Sequence, residues 1–208
     1  MYPQYLNNIL HMQAFPSLQL WRIFIIFPSL YQLISSMALI KSIHGVAPQF
    51  GKDCYLSETA TVIGQVRMGD RCSVWFNAVI RGDVHTITIG DNTNVQDNAI
   101  IHCTYQQAKT VIGSNVTIAH RAIVHGCTLE DNVMIGMGAI VMDHAVVKSG
   151  ALIAAGSVVL EGTVVESNSV YAGIPAKKVK DLGPDNKAMM ERIAGNYVKY
   201  AGWYKDSK

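Results

Sequence analysis

The stretch LEDNVMIGMGAIVMDHAVVKSGALIAAGSVVLEGTVVESNSV, residues 129–170, divides without a gap into seven hexads. Every first position is aliphatic, and every fifth position is small or β-branched. A period of six is typical of a short-repeat solenoid, whereas an amphipathic helix needs apolar residues at every third or fourth position. The stretch therefore predicts a parallel β-helix with three flat faces and three hexads to a coil, in which first-position side chains fill the axis.

The same register continues towards the N terminus with interruptions. Hexads begin at Met68, Val74, Ile80, Ile89, Val95, Ile101, Ile112 and Ile118, and a five-residue unit begins at Val124. Segments 80–88 and 101–111 exceed six residues, so we expect protruding loops there, and loops on a rigid scaffold commonly carry functional sites. We assign residues 37–182 to an all-β solenoid and residues 183–208 to a C-terminal α-helix.

The first 36 residues differ from the rest of the chain. They contain no Asp or Glu and a single Arg22, and residues 18–40 are mostly apolar and long enough for a membrane span. Arg22 and Pro28 interrupt this run, and neither a basic n-region nor a small-residue cleavage site marks a signal peptide. Because MALIKSIHG at Met37 reads as a normal start, we predict an extension outside the fold for residues 1–36. A membrane anchor and an extra packed helix are the alternatives.

Composition narrows the class of protein. The chain has 208 residues, half of them apolar, which fits one domain with a substantial core. A net charge of +2 with few charge runs gives no electrostatic case for nucleic-acid binding. The four cysteines show no CxxC pair and no disulfide-framework spacing, which favours a reduced, cytoplasmic protein.

Three residues share one position in successive coils. Arg81, His102 and His125 are each the second residue of a hexad, and their hexads begin one coil apart. We therefore expect them to stack in one column, about 4.8 Å apart as neighbouring strands are. That separation allows two imidazoles to bind one metal ion at about 2.1 Å.

His120 occupies a different face, in the column of Asp97, because it is the third residue of its hexad. It is poorly placed to join the histidine pair of its own chain, but it is well placed to serve a neighbouring copy. Two ligands from one chain and one from the next, repeated around a threefold axis, give three metal sites at subunit boundaries. A single histidine on a solenoid is more commonly a surface or hydrogen-bonded residue, and it is the pair in register that favours the metal site.

Five motifs resemble the gamma-class carbonic anhydrase family, over about residues 45–180. They are VIRGD (79–83), NVQD (94–97), IHC (101–103), AHRAIVHGC (119–127) and IGMGAIV (135–141). The resemblance implies a left-handed β-helix, a homotrimer, and a zinc site, with iron or cobalt as alternatives, at each subunit interface.

The resemblance also implies roles for individual residues. By motif position the metal ligands are His102, His120 and His125, and Arg81 and Asp83 form an ion pair near the interface. Three further polar residues then line the site or orient its ligands and water: Asn94, Gln96 and Asp97.

The implied activity is the hydration of carbon dioxide to bicarbonate by hydroxide that the metal activates. The best-characterised family members carry acidic loops that shuttle protons, but here the loops VHTITIG after Asp83 and CTYQQAKTVIG after His102 contain no carboxylate. We therefore expect slow proton transfer unless His85, Tyr105 or buffer substitutes. The alternatives are a metal-dependent thioesterase, a CoA-dependent acyltransferase and a non-catalytic metal-binding trimer.

Overall fold

The computed structural model describes residues 37–206, which form a parallel β-helix followed by one α-helix. This confirms the fold class that the hexads predict. The predicted extension, residues 1–36, lies outside the described residues. Between Met37 and Asp206 no helix is long and apolar enough to cross a membrane.

Each coil contributes one strand segment to each of three faces, and within residues 37–206 seven coils are stacked. Face one contains β1 (Leu39–Lys41), the first half of β4 (Thr61–Met68), the first half of β6 (Val79–Ile89), β8 (Ile100–His102), β11 (Ile123–His125), β14 (Ile140–Val141) and β17 (Val158–Val159). Face two contains β2 (Gln49–Phe50), the second halves of β4 and β6, β9 (Thr110–Ile112), β12 (Thr128–Leu129), β15 (Val146–Val147) and β18 (Val164–Val165). Face three contains β3 (Tyr55–Leu56), β5 (Ser73–Val74), β7 (Asn94–Val95), β10 (Thr117–Ile118), β13 (Met134–Ile135), β16 (Leu152–Ile153) and β19 (Ser169–Gly173), and β20 (Ala176–Asp181) pairs with β19 in antiparallel orientation.

The first positions of the hexads form the core. Ile101, Val124 and Val141 stack on face one, and each is fully buried. Burying an aliphatic side chain of this size contributes about 1.5–3 kcal/mol, so the repeated column dominates the stability of the solenoid. Fifth positions such as Ala139 and Ala145 are also fully buried, because they lie where the chain turns between faces.

The fourth position of many hexads adopts a left-handed backbone conformation at the corner. Asn92, Asn115 and Asn132 have φ values of 55°, 57° and 59°, and asparagine tolerates this region better than most residues. His144 takes the same kind of corner position with φ 60°, which gives it a structural role.

The two predicted loops differ in the structure. Residues 80–88 do not form a separate loop, because β6 runs continuously through them. The three extra residues form a bulge, in which Gly82–Ile87 of β6 faces Gly64–Val66 of β4. Residues 103–109 do form a loop, closed by a bridge between Thr104 and Ala108.

Helix α1 (Pro184–Asp206) packs against face three at β5, β7 and β10. Its fully covered residues are Met190, Ala194 and Ala201. Beside them lie larger apolar residues that recur every three or four positions and are half-buried or exposed: Met189, Ile193, Tyr197, Tyr200 and Tyr204. The small alanines allow the helix to approach the sheet closely, while the larger rings pack beside it, as Tyr197 does 5.3 Å from Trp75.

Candidate metal centre

The predicted histidine pair lies in register on face one. His102 in β8 pairs directly with His125 in β11, and the hexad of Arg81 lies one coil before that of His102. Nδ1 of His102 is 3.1 Å from Nε2 of His125, and both side chains are half-buried. Counting hexads therefore located the pair correctly.

The bulge in β6 places Asp83 next to Nε2 of His102, the ring nitrogen that does not face His125. Oδ1 of Asp83 lies 3.0 Å from Nε2 of His102, and Oδ2 lies 2.5 Å from Nη1 of Arg81. Burial acts to raise the pKa of Asp83, but the hydrogen bonds from Arg81 and His102 outweigh it and hold the pKa below its ordinary value. Asp83 is therefore an ionised acceptor that fixes the ring of His102.

Asp143 does the same for His125, although none of the sequence motifs predicts a role for it. Its Oδ1 lies 2.5 Å from Nδ1 of His125, and the hydroxyl of Thr104 donates a hydrogen bond to its other oxygen. Burial again raises the pKa of Asp143, while the hydrogen bonds from Thr104 and His125 bring it below the ordinary value. Asp143 reaches His125 over Gly126, where a Cβ would collide with its carboxylate. The sequence pattern that indicates this contact is a glycine in the third position of its repeat unit, Gly126, followed one coil later by an aspartate in the same position, Asp143.

Ring protonation follows from these contacts. A carboxylate only accepts hydrogen bonds, so Nε2 of His102 and Nδ1 of His125 carry the protons that Asp83 and Asp143 accept. When both rings are neutral, the facing nitrogens present two lone pairs to each other across 3.1 Å. Burial lowers the pKa of His102, with Asp83 opposing and Arg81 reinforcing the shift, which favours the neutral ring. A proton on either nitrogen, or a metal ion bound by both, removes their repulsion.

The remaining predicted site residues lie on face three. Nδ1 of His120 is 2.8 Å from Oδ2 of Asp97, one coil below. Gln96 and Asn94 are buried beside them, and Nε2 of Gln96 donates a 3.0 Å hydrogen bond to Oδ1 of Asn94. Asn94 in turn donates a 3.0 Å hydrogen bond to Thr117. One chain thus holds the predicted site as two separate groups of residues.

A cavity of about 550 Å³ lies beside His120, between face three and helix α1. Gln96 and His120 provide polar groups in its lining. Methionine, leucine, isoleucine and tyrosine side chains make most of the rest: Met134, Met137, Leu152, Ile153, Met189, Ile193, Tyr197 and Tyr200. An apolar space with a few polar groups suits a small uncharged molecule.

The histidine pair has the chemistry of two metal ligands. Across residues 37–206, no group of three or more His, Cys, Asp or Glu side chains is arranged to hold a metal. The facing nitrogens of His102 and His125 are nevertheless close to the separation of about 3.4 Å that two nitrogens have on a tetrahedral zinc. All three histidines have the other ring nitrogen at a carboxylate, the arrangement usual for metal-binding histidines. The pair presents two ring nitrogens to one point, and His120 presents one on another face.

The chain is similar to hexapeptide-repeat proteins and to gamma carbonic anhydrases. The hexapeptide family described as bacterial transferase hexapeptide (six repeats) matches residues 126–161. Gamma carbonic anhydrase 2, mitochondrial, from Arabidopsis thaliana is 37% identical over 173 residues, which are 81% of this chain and 62% of that protein. The chain thus spans about three fifths of that relative.

Two further proteins are matched over most of their own length. A carbonic anhydrase from Geobacillus kaustophilus is 42% identical over 161 residues, covering 77% of this chain and 88% of that protein. The crystal structure of a hexapeptide transferase family protein from Anaplasma phagocytophilum has 38% identity and a TM-score of 0.77, covering 80% of this chain and 98% of that one. With this fold, these motifs and relatives of such identity, the chain belongs to the gamma-class carbonic anhydrase-like family of hexapeptide-repeat proteins.

Proposed function

We propose that this protein is a metal-dependent hydratase of carbon dioxide, assembled as a homotrimer. His102 and His125 of one chain and His120 of the partner subunit hold the metal. Zinc suits three neutral imidazoles, and iron or cobalt are alternatives with the same ligands. The membership of the family and the carbonic anhydrase names of its relatives support this proposal.

The observation that carries the proposal is the pair of facing lone pairs at His102 and His125. Two carboxylates hold the outer protons of these rings, so the inner nitrogens are free to bind. An enzyme that uses one histidine as a general base has no need of a second histidine in register. The pair therefore favours metal-dependent chemistry over acyl transfer by a single histidine base.

The partner's His120 completes the set for a similar reason. Nδ1 of His120 contacts Asp97, so Nε2 is the nitrogen available to bind the metal. The side chain of His120 is also the most exposed of the three histidines. A threefold axis that places face three of one chain against face one of the next brings these groups together at each boundary. The site is then incomplete in an isolated chain.

Bound by three histidines, the metal supplies a position for water and lowers the pKa of that water to about 7. Residues of the protein position the water, the product and the metal ligands. The amide nitrogen of Gln96 donates a hydrogen bond to Asn94. The carbonyl oxygen of Gln96 can then orient a water molecule or accept a hydrogen bond from the hydroxyl of the product. Arg81 and Asp83 keep His102 in place. The cavity beside His120 admits an apolar substrate such as carbon dioxide.

Stopped-flow hydration of carbon dioxide by metal-depleted and zinc-reloaded protein tests the proposal. We expect activity only after reloading, near one metal per chain, and its loss in His120→Ala. His44→Ala is the matched control, because His44 is an exposed histidine with a left-handed backbone in the first coil, and it should retain activity.

Three other results would each indicate a different function. A reloaded protein that hydrolyses acyl-CoA but does not hydrate carbon dioxide is a thioesterase. Acyl transfer by the metal-depleted protein indicates an acyltransferase. A bound metal with none of these activities leaves a metal-binding trimer.

A further inference from the structure

Cys54 and Cys72 occupy the same position in two successive coils. The strands that follow them pair in register, Tyr55 with Ser73, and the amide of Tyr55 donates a 2.9 Å hydrogen bond to the carbonyl of Cys72. Neighbouring strands lie about 4.8 Å apart, and disulfides bridge Cα atoms that are about 4.4–6.8 Å apart. The register therefore gives the two cysteines an expected Cα separation within the disulfide range.

The two thiols are oriented alike. Sγ of Cys54 donates to the carbonyl of Gly69 at 3.1 Å, and Sγ of Cys72 donates to the carbonyl of Gly90 at 3.1 Å. Gly69 and Gly90 are themselves one coil apart, so the sulfur atoms lie side by side along the axis. Rotation about the two Cα–Cβ bonds moves the sulfur atoms towards each other. Cys54 is half-buried, whereas Cys72 is fully buried.

A cation lies close to the more accessible thiol. Nζ of Lys205, in the last turn of α1, donates a 2.5 Å hydrogen bond to the carbonyl of Asp53, the residue before Cys54. When Cys54 ionises, the thiol of Cys72 donates to it in place of the Gly90 carbonyl; this hydrogen bond and the charge of Lys205 outweigh burial and lower the pKa of Cys54 to about 7. The same hydrogen bond together with burial raises the pKa of Cys72. Cys54 thus has the character of an attacking thiolate, and Cys72 that of a buried resolving thiol.

We propose that Cys54 and Cys72 form a redox-active dithiol, which a small-molecule disulfide oxidises to a disulfide that links the first coil to the second. The Cys54 thiolate attacks one sulfur of the small disulfide, whose S–S bond breaks and releases one thiolate. Cys72 gives its proton to solvent and attacks the Cys54 sulfur of the mixed disulfide, which releases the second thiolate. Two protein thiols are oxidised and one disulfide is reduced to two thiols. The site lies apart from the histidine centre and does not depend on its function.

Oxidised glutathione is the probe. The full chain, freshly reduced, is incubated with it, and intact mass and peptide maps are recorded without reductant. We expect wild type to lose two hydrogen atoms in mass and to yield a peptide linking Cys54 to Cys72. Cys72→Ser should retain one glutathione on Cys54, and Cys54→Ser should not react. Cys103→Ser, in which a hydroxyl replaces a thiol that contacts Thr110, is the matched control and should resemble wild type.

Two results overturn the proposal: wild type that keeps four free thiols, or wild type that accumulates the same stable glutathione adduct as Cys72→Ser. Should a serine variant fail to fold, the alkylation of wild type by iodoacetamide decides instead. Cys54 should react first, with a rate that reaches half its maximum near pH 7. Alkylation of Cys54 no faster than in unfolded protein contradicts the proposal.

Discussion

Nδ1 of His102 and Nε2 of His125 face each other across 3.1 Å, and each ring is held from behind by a carboxylate. The contacts form one continuous polar chain along face one: Arg81, Asp83, His102, His125, Asp143 and Thr104. Along this series of contacts, two acceptor atoms face each other at one point: Nδ1 of His102 and Nε2 of His125.

Asp143→Asn should weaken metal binding about 10–100-fold, the usual effect of losing the carboxylate behind a histidine ligand. The amide has nearly the same shape but does not hold the proton of His125 as strongly. Competition with a chromophoric chelator measures the affinity. Asp131→Asn is the matched control, because Asp131 accepts a 2.8 Å hydrogen bond from the amide of Ser114 at a corner. Equal affinity in wild type and Asp143→Asn would show that Asp143 does not support the site.

Gly126→Ala should also lower metal affinity, because a methyl group there collides with the carboxylate of Asp143 and lies 2.7 Å from Cβ of Ala108. Gly126 has φ 55°, so alanine adds backbone strain as well. Gly138→Ala separates the two effects: its φ is 66°, and its Cβ would meet open space. Chelator competition and thermal unfolding of both variants provide the test. A loss of affinity in both variants would assign the effect to strain and not to Asp143.

Tyr55→Phe should stabilise the protein by about 1 kcal/mol, because the Tyr55 hydroxyl is buried without a hydrogen-bond partner in the described part of the chain. Burial, reinforced by the charge of Glu58, raises the pKa of Tyr55 to about 12. The folded state therefore favours the neutral phenol. That stability is complete below about pH 10, where free tyrosine titrates, and is lost as the pH rises towards 12.

Urea unfolding between pH 8 and 11 measures both effects. Tyr55→Phe should show a smaller loss of stability with rising pH than wild type does. The exposed Tyr105 gives the control, since Tyr105→Phe should change neither quantity. A Tyr55→Phe variant less stable than wild type at pH 8 would mean that the hydroxyl has a partner.

Tyr105→Glu should raise the rate of carbon dioxide hydration, most of all in weak buffer. The loop 103–109 lies against the bulge of β6, where the amide of Gln106 donates to the carbonyl of Val84, so a carboxylate at position 105 is tethered near the site. A tethered acceptor replaces the diffusing buffer in proton removal. Tyr105→Gln controls for the loss of the ring. An identical dependence on buffer concentration in the two variants would contradict a missing proton shuttle.

The sequence was sufficient for features that the repeat period determines. Hexad counting predicted the three faces, the stacked first positions and the register of His102 with His125, because each depends only on the number of residues per coil. It also placed His120 and Asp97 in one column, where the structure has them 2.8 Å apart.

Features that depend on side-chain packing were not predictable in this way. The bulge that carries Asp83 was expected to be a loop, because an insertion in a repeat does not show whether its backbone stays paired. Asp143 was overlooked, because its approach to His125 depends on the absence of a side chain at Gly126.

The shared site is tested most directly by mixing subunits. His120→Ala and His125→Ala remove different halves of the site, so each homotrimer should lose most of its metal. In a trimer that contains both variants, one boundary joins an intact His102–His125 pair to an intact His120 of the partner subunit. Differently tagged chains, co-expressed and purified through both tags, should therefore regain about one metal per trimer.

Mixing His102→Ala with His125→Ala is the matched control, because no chain then has an intact pair and no boundary can be restored. We predict metal in the first mixture and none above the level of the separate variants in the second. Metal content in the first mixture that stays at the level of the separate variants would contradict a site shared between subunits.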